Sequence, residues 1–144
     1  ETYHKIEEIK KILFSKGHVF EFNLISGNEK ECLNSLRTCN IFLGMNPGKD
    51  PIWGESFGLP GMEAMAVGCA VISNDYQGNR EYIHNSFNGL LVNGDNPIEY
   101  VEKIIYLMNH PNEVNKIKEN SSAFLESYFG KDNVWHNVKN FLNL

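Results

Sequence analysis

At 144 residues and 16.4 kDa the chain is long enough for one domain with a core and too short for two full α/β domains. Apolar residues at 42% and charged residues at 22% describe an ordinary globular chain, and no apolar run is long enough to cross a membrane. Eighteen Asp and Glu against 13 Lys and Arg leave a net charge of −5, which excludes a basic stripe for nucleic acid but not a small anion held by backbone amides.

Three cysteines of irregular spacing (Cys32, Cys39, Cys69) speak against a disulfide framework or a zinc site and suit a reducing compartment. The five histidines have no ligand spacing, so no metal site is expected. Asn120-Ser121-Ser122 matches a glycosylation sequon, as Asn-rich chains do by chance. The chain opens on Glu1 inside a helical pattern, with no charged and apolar leader, which is expected of an excerpt from a longer protein.

Residues 2–16 place Ile6, Ile9 and Leu13 on one face of a helix closed by Gly17. The β-branched and aromatic run 19–25 predicts a strand that ends at Ser26-Gly27. A second helix over 29–38 carries Cys32, Leu33 and Leu36 on one face, and 41–45 reads as a strand buried on both sides. After a loop with two prolines, residues 60–67 form a short helix with Pro60 in its first turn and Gly68 at its end. A strand at 70–73, a helix near 79–84 and a strand at 89–92 follow. This alternation predicts an α/β fold with a Rossmann-like parallel sheet and crossover helices, spanning residues 1–144 as a single domain.

The tail is helical. Asn96-Pro97-Ile98-Glu99 has the form of a capping box, with Val101, Ile104, Ile105 and Met108 on the face that follows. Val114, Ile117, Phe124, Leu125 and Tyr128 mark a second tail helix broken at Gly130, and Val134, Val138, Phe141 and Leu142 a third.

In an open parallel sheet, ligands bind beyond the carboxyl ends of the strands. The loop and helix start at 54–63 hold three glycines and two carboxylates there, Glu55 in the loop and Glu63 in the first helical turn. Amides at Gly58 and Leu59, just ahead of a helix N-terminus, suit a phosphate. Carboxylates beside them suit hydroxyls of ribose or a sugar ring, although Glu63 also gains simply from the helix dipole.

The run from Glu55-Ser56-Phe57-Gly58-Leu59-Pro60-Gly61-Met62-Glu63 through Ala64-Met65-Ala66-Val67-Gly68-Cys69-Ala70-Val71-Ile72 resembles the donor-site signature of GT-B retaining glycosyltransferases of the family 4 type. The likeness continues through Gly78-Asn79-Arg80-Glu81-Tyr82-Ile83 and Asn88-Gly89-Leu90-Leu91-Val92. It implies the C-terminal, donor-binding half of a GT-B enzyme, with a helical C-terminal tail. By position Glu55 would be the catalytic contact to the transferred sugar, and Glu63 would hold the ribose hydroxyls. Phe57, Gly58 and Leu59 would present backbone to the sugar and diphosphate, while Ser26 and Gly27 would border the base. The donor would be a nucleotide-diphospho-sugar, a UDP- or GDP-linked hexose, used without cofactor or divalent metal.

The resemblance further implies an acceptor glycan or lipid-linked glycan held by an N-terminal domain. It implies polysaccharide synthesis in the cytoplasm, or at the periphery of the inner membrane. The family's Arg/Lys pair, which offsets the diphosphate charge, falls before this chain begins; Lys5, Lys10 and Lys11 sit in a register that suits a solvated face, and Lys49 in a long loop. The first strand of the domain is also missing from the pattern, so this piece alone is expected to be inactive. The alternative is a catalytically silent sugar-nucleotide-binding or regulatory module acting with a separate subunit; a third reading is a structural relic that packs on a partner.

Smaller candidates carry both a site reading and a local one. Arg80-Glu81, Asp75 and Tyr76 face the crevice by topology, or serve as a helix pair and a turn. His84 and His110 flank helix ends, and Trp53 either shields a sugar face or packs the loop.

Overall fold

A computed structural model describes residues 2–45, 58–93 and 96–132. Its elements run α1 (Thr2–Ser15), α2 (Glu29–Thr38), β1 (Ile41–Gly44), α3 (Leu59–Ala66), β2 (Ala70–Asn74), α4 (Gln77–Arg80), β3 (Leu90–Val92), α5 (Pro97–Asn109) and α6 (Pro111–Phe129). The three strands form one parallel sheet in the order β1-β2-β3, with Ile41 opposite Ala70 and Ile72 opposite Leu90. The third tail helix expected from Val134, Val138, Phe141 and Leu142 lies outside the described residues.

The pleat of β2 divides the core in two. Ala70 and Ile72 face a cluster built with Ile9 and Leu13 of α1 and with Tyr100, Val101, Ile104 and Leu107 of α5. Cys69 and Val71 face the other way, among Leu36 of α2, Ala64 and Met65 of α3, and Tyr82 and Ile83. Alternation of side chains across a strand therefore makes the three layers, helix, sheet and helix. Helix α6 joins them, with Ile117 in the first cluster and Phe124 and Leu125 against the second. All five residues of β2 are buried, as a central parallel strand requires.

Several local expectations change. Residues 18–26 have no regular secondary structure and enter no ladder among the described residues. Phe20 and Phe22 pack on one core cluster and Ile25 on the other, so the period-two pattern holds without a hydrogen-bonding neighbour, while Val19 and Leu24 stand exposed. Strand β1 is half-buried along its length, not buried on both sides, because it is the edge of the described sheet. Helix α4 is shorter and earlier than 79–84.

The capping box at Asn96 is only half formed. The Asn96 side chain accepts from Ile98 N–H at 3.0 Å, but the Glu99 carboxylate accepts from Asn93 N–H at 2.6 Å and so tethers the end of β3. A complete box instead opens α2, where Asn28 and Glu31 exchange hydrogen bonds of 2.9 and 3.1 Å.

Candidate functional site

The carboxyl ends of β1 and β2 meet the start of α3 through a buried polar network. Ser73 Oγ donates to the Gly44 carbonyl at 3.2 Å, and Tyr100 Oη donates to the same oxygen at 2.9 Å. Asn79 Nδ2 donates to Ser73 Oγ at 2.8 Å and to the Asn74 carbonyl at 2.9 Å. Tyr82 Oη donates to the Gly58 carbonyl at 2.9 Å and lies 3.2 Å from Asn79 Oδ1. Asn74, Asn79 and Tyr82 are all buried, so these bonds form where unmet polar groups are costly.

Their result is a fixed N-terminus for α3. Gly58 caps the helix in the left-handed conformation, φ 58° and ψ 40°, which a side chain would resist. A Cβ at Gly58 would also run into Asn79 Oδ1 and Tyr82 Oη. Gly61 N–H is used by the Gly58 carbonyl at 2.9 Å, and Pro60 has none to offer. Of the first helical amides, that leaves Leu59 pointing beyond the helix end with the dipole behind it. The Leu59 side chain is 57% exposed.

Glu63 is exposed on the same helix, but it lies past the first turn, which contains no acid. At 100° per residue it faces away from the buried Ala64 and Met65. The dipole explanation for this carboxylate therefore weakens, and a surface role remains. Ser26 and Gly27 precede α2 and are exposed, and Gly27 backs onto Glu31 of that helix's capping box. The expected catalytic contact Glu55, with Phe57, Trp53 and Lys49, lies outside the described residues.

Arg80 pairs with Asp75, not Glu81, through Nε–Oδ1 and Nη2–Oδ2 contacts of 2.5 and 3.0 Å. That bond to the guanidinium holds the Asp75 carboxyl below its ordinary range. His110 caps both tail helices and sets Nδ1 2.8 Å from the Tyr106 carbonyl, the helix-end role expected of it. His84 instead meets Phe124 edge-on at 5.0 Å between ring centres.

A concavity of about 530 Å³ opens beside the end of β3, lined by Asp75, Asn93, Glu99, Glu102 and Lys103 among others. Three carboxylates against one ammonium make it a poor anion site. No group of three or more potential metal ligands occurs among the described residues. Sequence reasoning missed Tyr82 and Asn79 as the struts of the site, although both fall within the motif.

Residues 5–124 match the family model described as glycosyl transferases group 1. The chain belongs to that family. An uncharacterized glycosyltransferase of Methanocaldococcus jannaschii is 32% identical over 78 residues, 54% of this chain and 22% of its own length. The C-terminal domain of a group 1 glycosyl transferase, LpcC of Francisella tularensis, superposes with a TM-score of 0.58 at 23% identity, covering 87% of this chain and 62% of that one. Anabaena HepE, crystallised with UDP and glucose, gives a TM-score of 0.69 at 17% identity over 96% of this chain and 36% of its own. The architecture is thus that of the C-terminal half of a GT-B glycosyltransferase. This glycosyl transferase chain spans about a fifth of the length of the curated relatives it matches, 22% of the archaeal one.

Proposed function

We propose that residues 1–144 form one nucleotide-sugar-binding domain of a glycosyltransferase that moves a hexosyl group from a nucleoside-diphosphate donor to an acceptor glycan with retention of configuration. The observation that carries this is the left-handed Gly58, held by Tyr82 at the head of α3. The fold it shares with HepE, which crystallised with UDP and glucose, supports a donor of that class.

In this reading the Leu59 amide and the α3 dipole receive the diphosphate, with Phe57 and Gly58 presenting backbone beside it. Negative charge builds on the β-phosphate as the bond to the sugar breaks, and fixed dipoles stabilise it without reorganising. Glu63, on the exposed side of α3, accepts from the ribose hydroxyls. Glu55 stands near the anomeric carbon, where carboxylate or carbonyl oxygens favour oxocarbenium character. Ser26 and Gly27 border the base. The diphosphate charge is met by amides and cations and not by a bound metal, and the setting is cytoplasmic polysaccharide synthesis.

A backbone-amide NMR titration with UDP, GDP and their hexose conjugates tests the reading. Shifts centred on Gly58, Leu59, Gly61 and Glu63 with one nucleotide support it and name the base. Shifts confined to the acidic concavity near Glu99 and Glu102, or none at millimolar ligand, refute it for this chain.

A further inference from the structure

Cys39 and Cys69 are 30 positions apart in the chain, yet the fold makes them neighbours. Cys39 is the C-cap of α2, and Cys69 immediately precedes β2. The parallel register continues one step before the strands, since Ala70 N–H donates to the Asn40 carbonyl at 2.9 Å. Cys69 therefore lies opposite Asn40 and diagonal to Cys39. With ~4.8 Å between strands and a ~3.3 Å rise, diagonal Cα atoms sit roughly 6 Å apart. That falls inside the range of about 4.4–6.8 Å that a disulfide requires.

The side chains point to the same place. Cys69 belongs to the core cluster on the α2 and α3 side of the sheet, and Cys39 packs against that cluster. Their sulfurs donate to carbonyls of consecutive residues of α2, Cys39 Sγ to Ser35 at 3.3 Å and Cys69 Sγ to Leu36 at 3.2 Å. Cys69 Sγ also lies 3.5 Å from the carbonyl of Cys39 itself. Cys32, near the start of α2, uses its thiol elsewhere, on the Gly27 carbonyl at 3.7 Å.

We infer that Cys39 and Cys69 are a latent disulfide pair, closed by a peroxide-class oxidant, that staples the end of α2 to the start of β2. Cys39 is half-buried and reachable, whereas Cys69 is fully buried. The Cys39 thiolate attacks the peroxide oxygen, giving a sulfenic acid and hydroxide, which takes up the proton the thiol released to form water. The Cys69 thiolate then displaces hydroxide from that sulfur. Two thiols and one hydrogen peroxide thus become one disulfide and two waters, and the two electrons come from the sulfur pair.

Burial and the neighbouring Cys39 push the Cys69 thiol up to about 11. The second step is accordingly slow at neutral pH and gains roughly tenfold for each unit by which pH rises, since the thiolate is the attacking form. The bond closes a loop over residues 40–68, which includes Gly58 and the start of α3. It crosses the sheet at the opposite edge from the carboxyl ends, so it stiffens the frame of the site without touching it.

The test exposes the protein to excess hydrogen peroxide at about pH 7 and pH 9, followed by denaturing thiol titration and non-reducing peptide mapping. The expected product is a monomer about 2 Da lighter that retains one titratable thiol of the three, Cys32, with the 39 and 69 peptides joined. Closure should be many-fold faster at the higher pH, and the oxidised protein should melt on the order of 10 °C higher than the reduced one. Cys32→Ser should still lose about 2 Da, and Cys39→Ser should not. A bond involving Cys32, intermolecular dimers, or sulfinic acid at Cys39 with Cys69 still free would each overturn the inference.

Discussion

Gly61 and Tyr82 offer the most searching test of how the site is held. Gly61 is the third residue of α3, and a Cβ there would collide with Tyr82 Oη and lie 3.2 Å from Cζ. Tyr82 cannot swing aside, being 1% exposed and bonded through its hydroxyl to the Gly58 carbonyl. Gly61→Ala therefore overpacks the site, a cost of about 1–3 kcal/mol, against a gain of roughly 0.5–1 kcal/mol in helix propensity. A net loss of about 0–2.5 kcal/mol is expected.

Tyr82→Phe alone removes one buried hydrogen bond, about 0.5–1.5 kcal/mol, because the Gly58 carbonyl keeps the Gly61 and Met62 amides. It also removes the atom with which the new methyl collides. In that background Gly61→Ala should become neutral or mildly stabilising, so the double variant is no less stable than Tyr82→Phe. Urea denaturation of the four proteins gives the coupling, expected at about 1–2 kcal/mol with unchanged m-values. If the two effects simply add to within about 0.5 kcal/mol, the hydroxyl is not what dictates glycine at 61 and the account of the network fails.

Three further outcomes follow from single features. Asn28→Ala should destabilise the fold by about 1 kcal/mol through loss of the α2 capping box, read as a lower urea midpoint; no change would show that the box is replaced by water. Arg80 holds the folded-state pKa of Asp75 below its ordinary value. The stability this contributes is present above about pH 4 and lost as pH falls through the lowered value. Carboxyl NMR titration should show the Asp75 midpoint rise toward the ordinary range in Arg80→Ala, and an unmoved midpoint would remove the ion pair as its cause. Glu63→Ala should weaken nucleotide binding by about 1.5–3 kcal/mol through lost charge-assisted hydrogen bonds, measured by calorimetry, and equal affinity would end its ribose role.

The parts of the fold that the sequence expressed most clearly are those set by local period and punctuation. Helix α2 sits where its spacing puts it, because burial on one face needs nothing beyond the pattern itself. The face of α5 is turned from the expected one: Val101 and Ile104 are buried as expected, but Tyr100 and Leu107 join them and Met108 is exposed. The run 19–25 shows the limit. Its alternation is real, with Phe20 and Phe22 on one side and Ile25 on the other, but a strand also needs a partner's hydrogen bonds, which no pattern within the segment can encode. Arg80 likewise had two acids within reach in sequence, and the turn between β2 and α4 chose Asp75 over Glu81.

The same distinction governs the site. Pro60 was readable as the start of a helix because it lacks an N–H that the helix head does not need, and the glycines at 58 and 61 were readable only as places free of side chains. The left-handed cap at Gly58 and the path of Tyr82 past Gly61 come from the structure. What was not readable is that Tyr82 and Asn79, some 20 residues later, are the groups that make those removals necessary. The two stretches of the motif are thus one device, a backbone turn without side chains and the polar struts that fill the space it leaves. Substituting either half without the other should leave a helix head that still folds but no longer presents the Leu59 amide in a fixed direction.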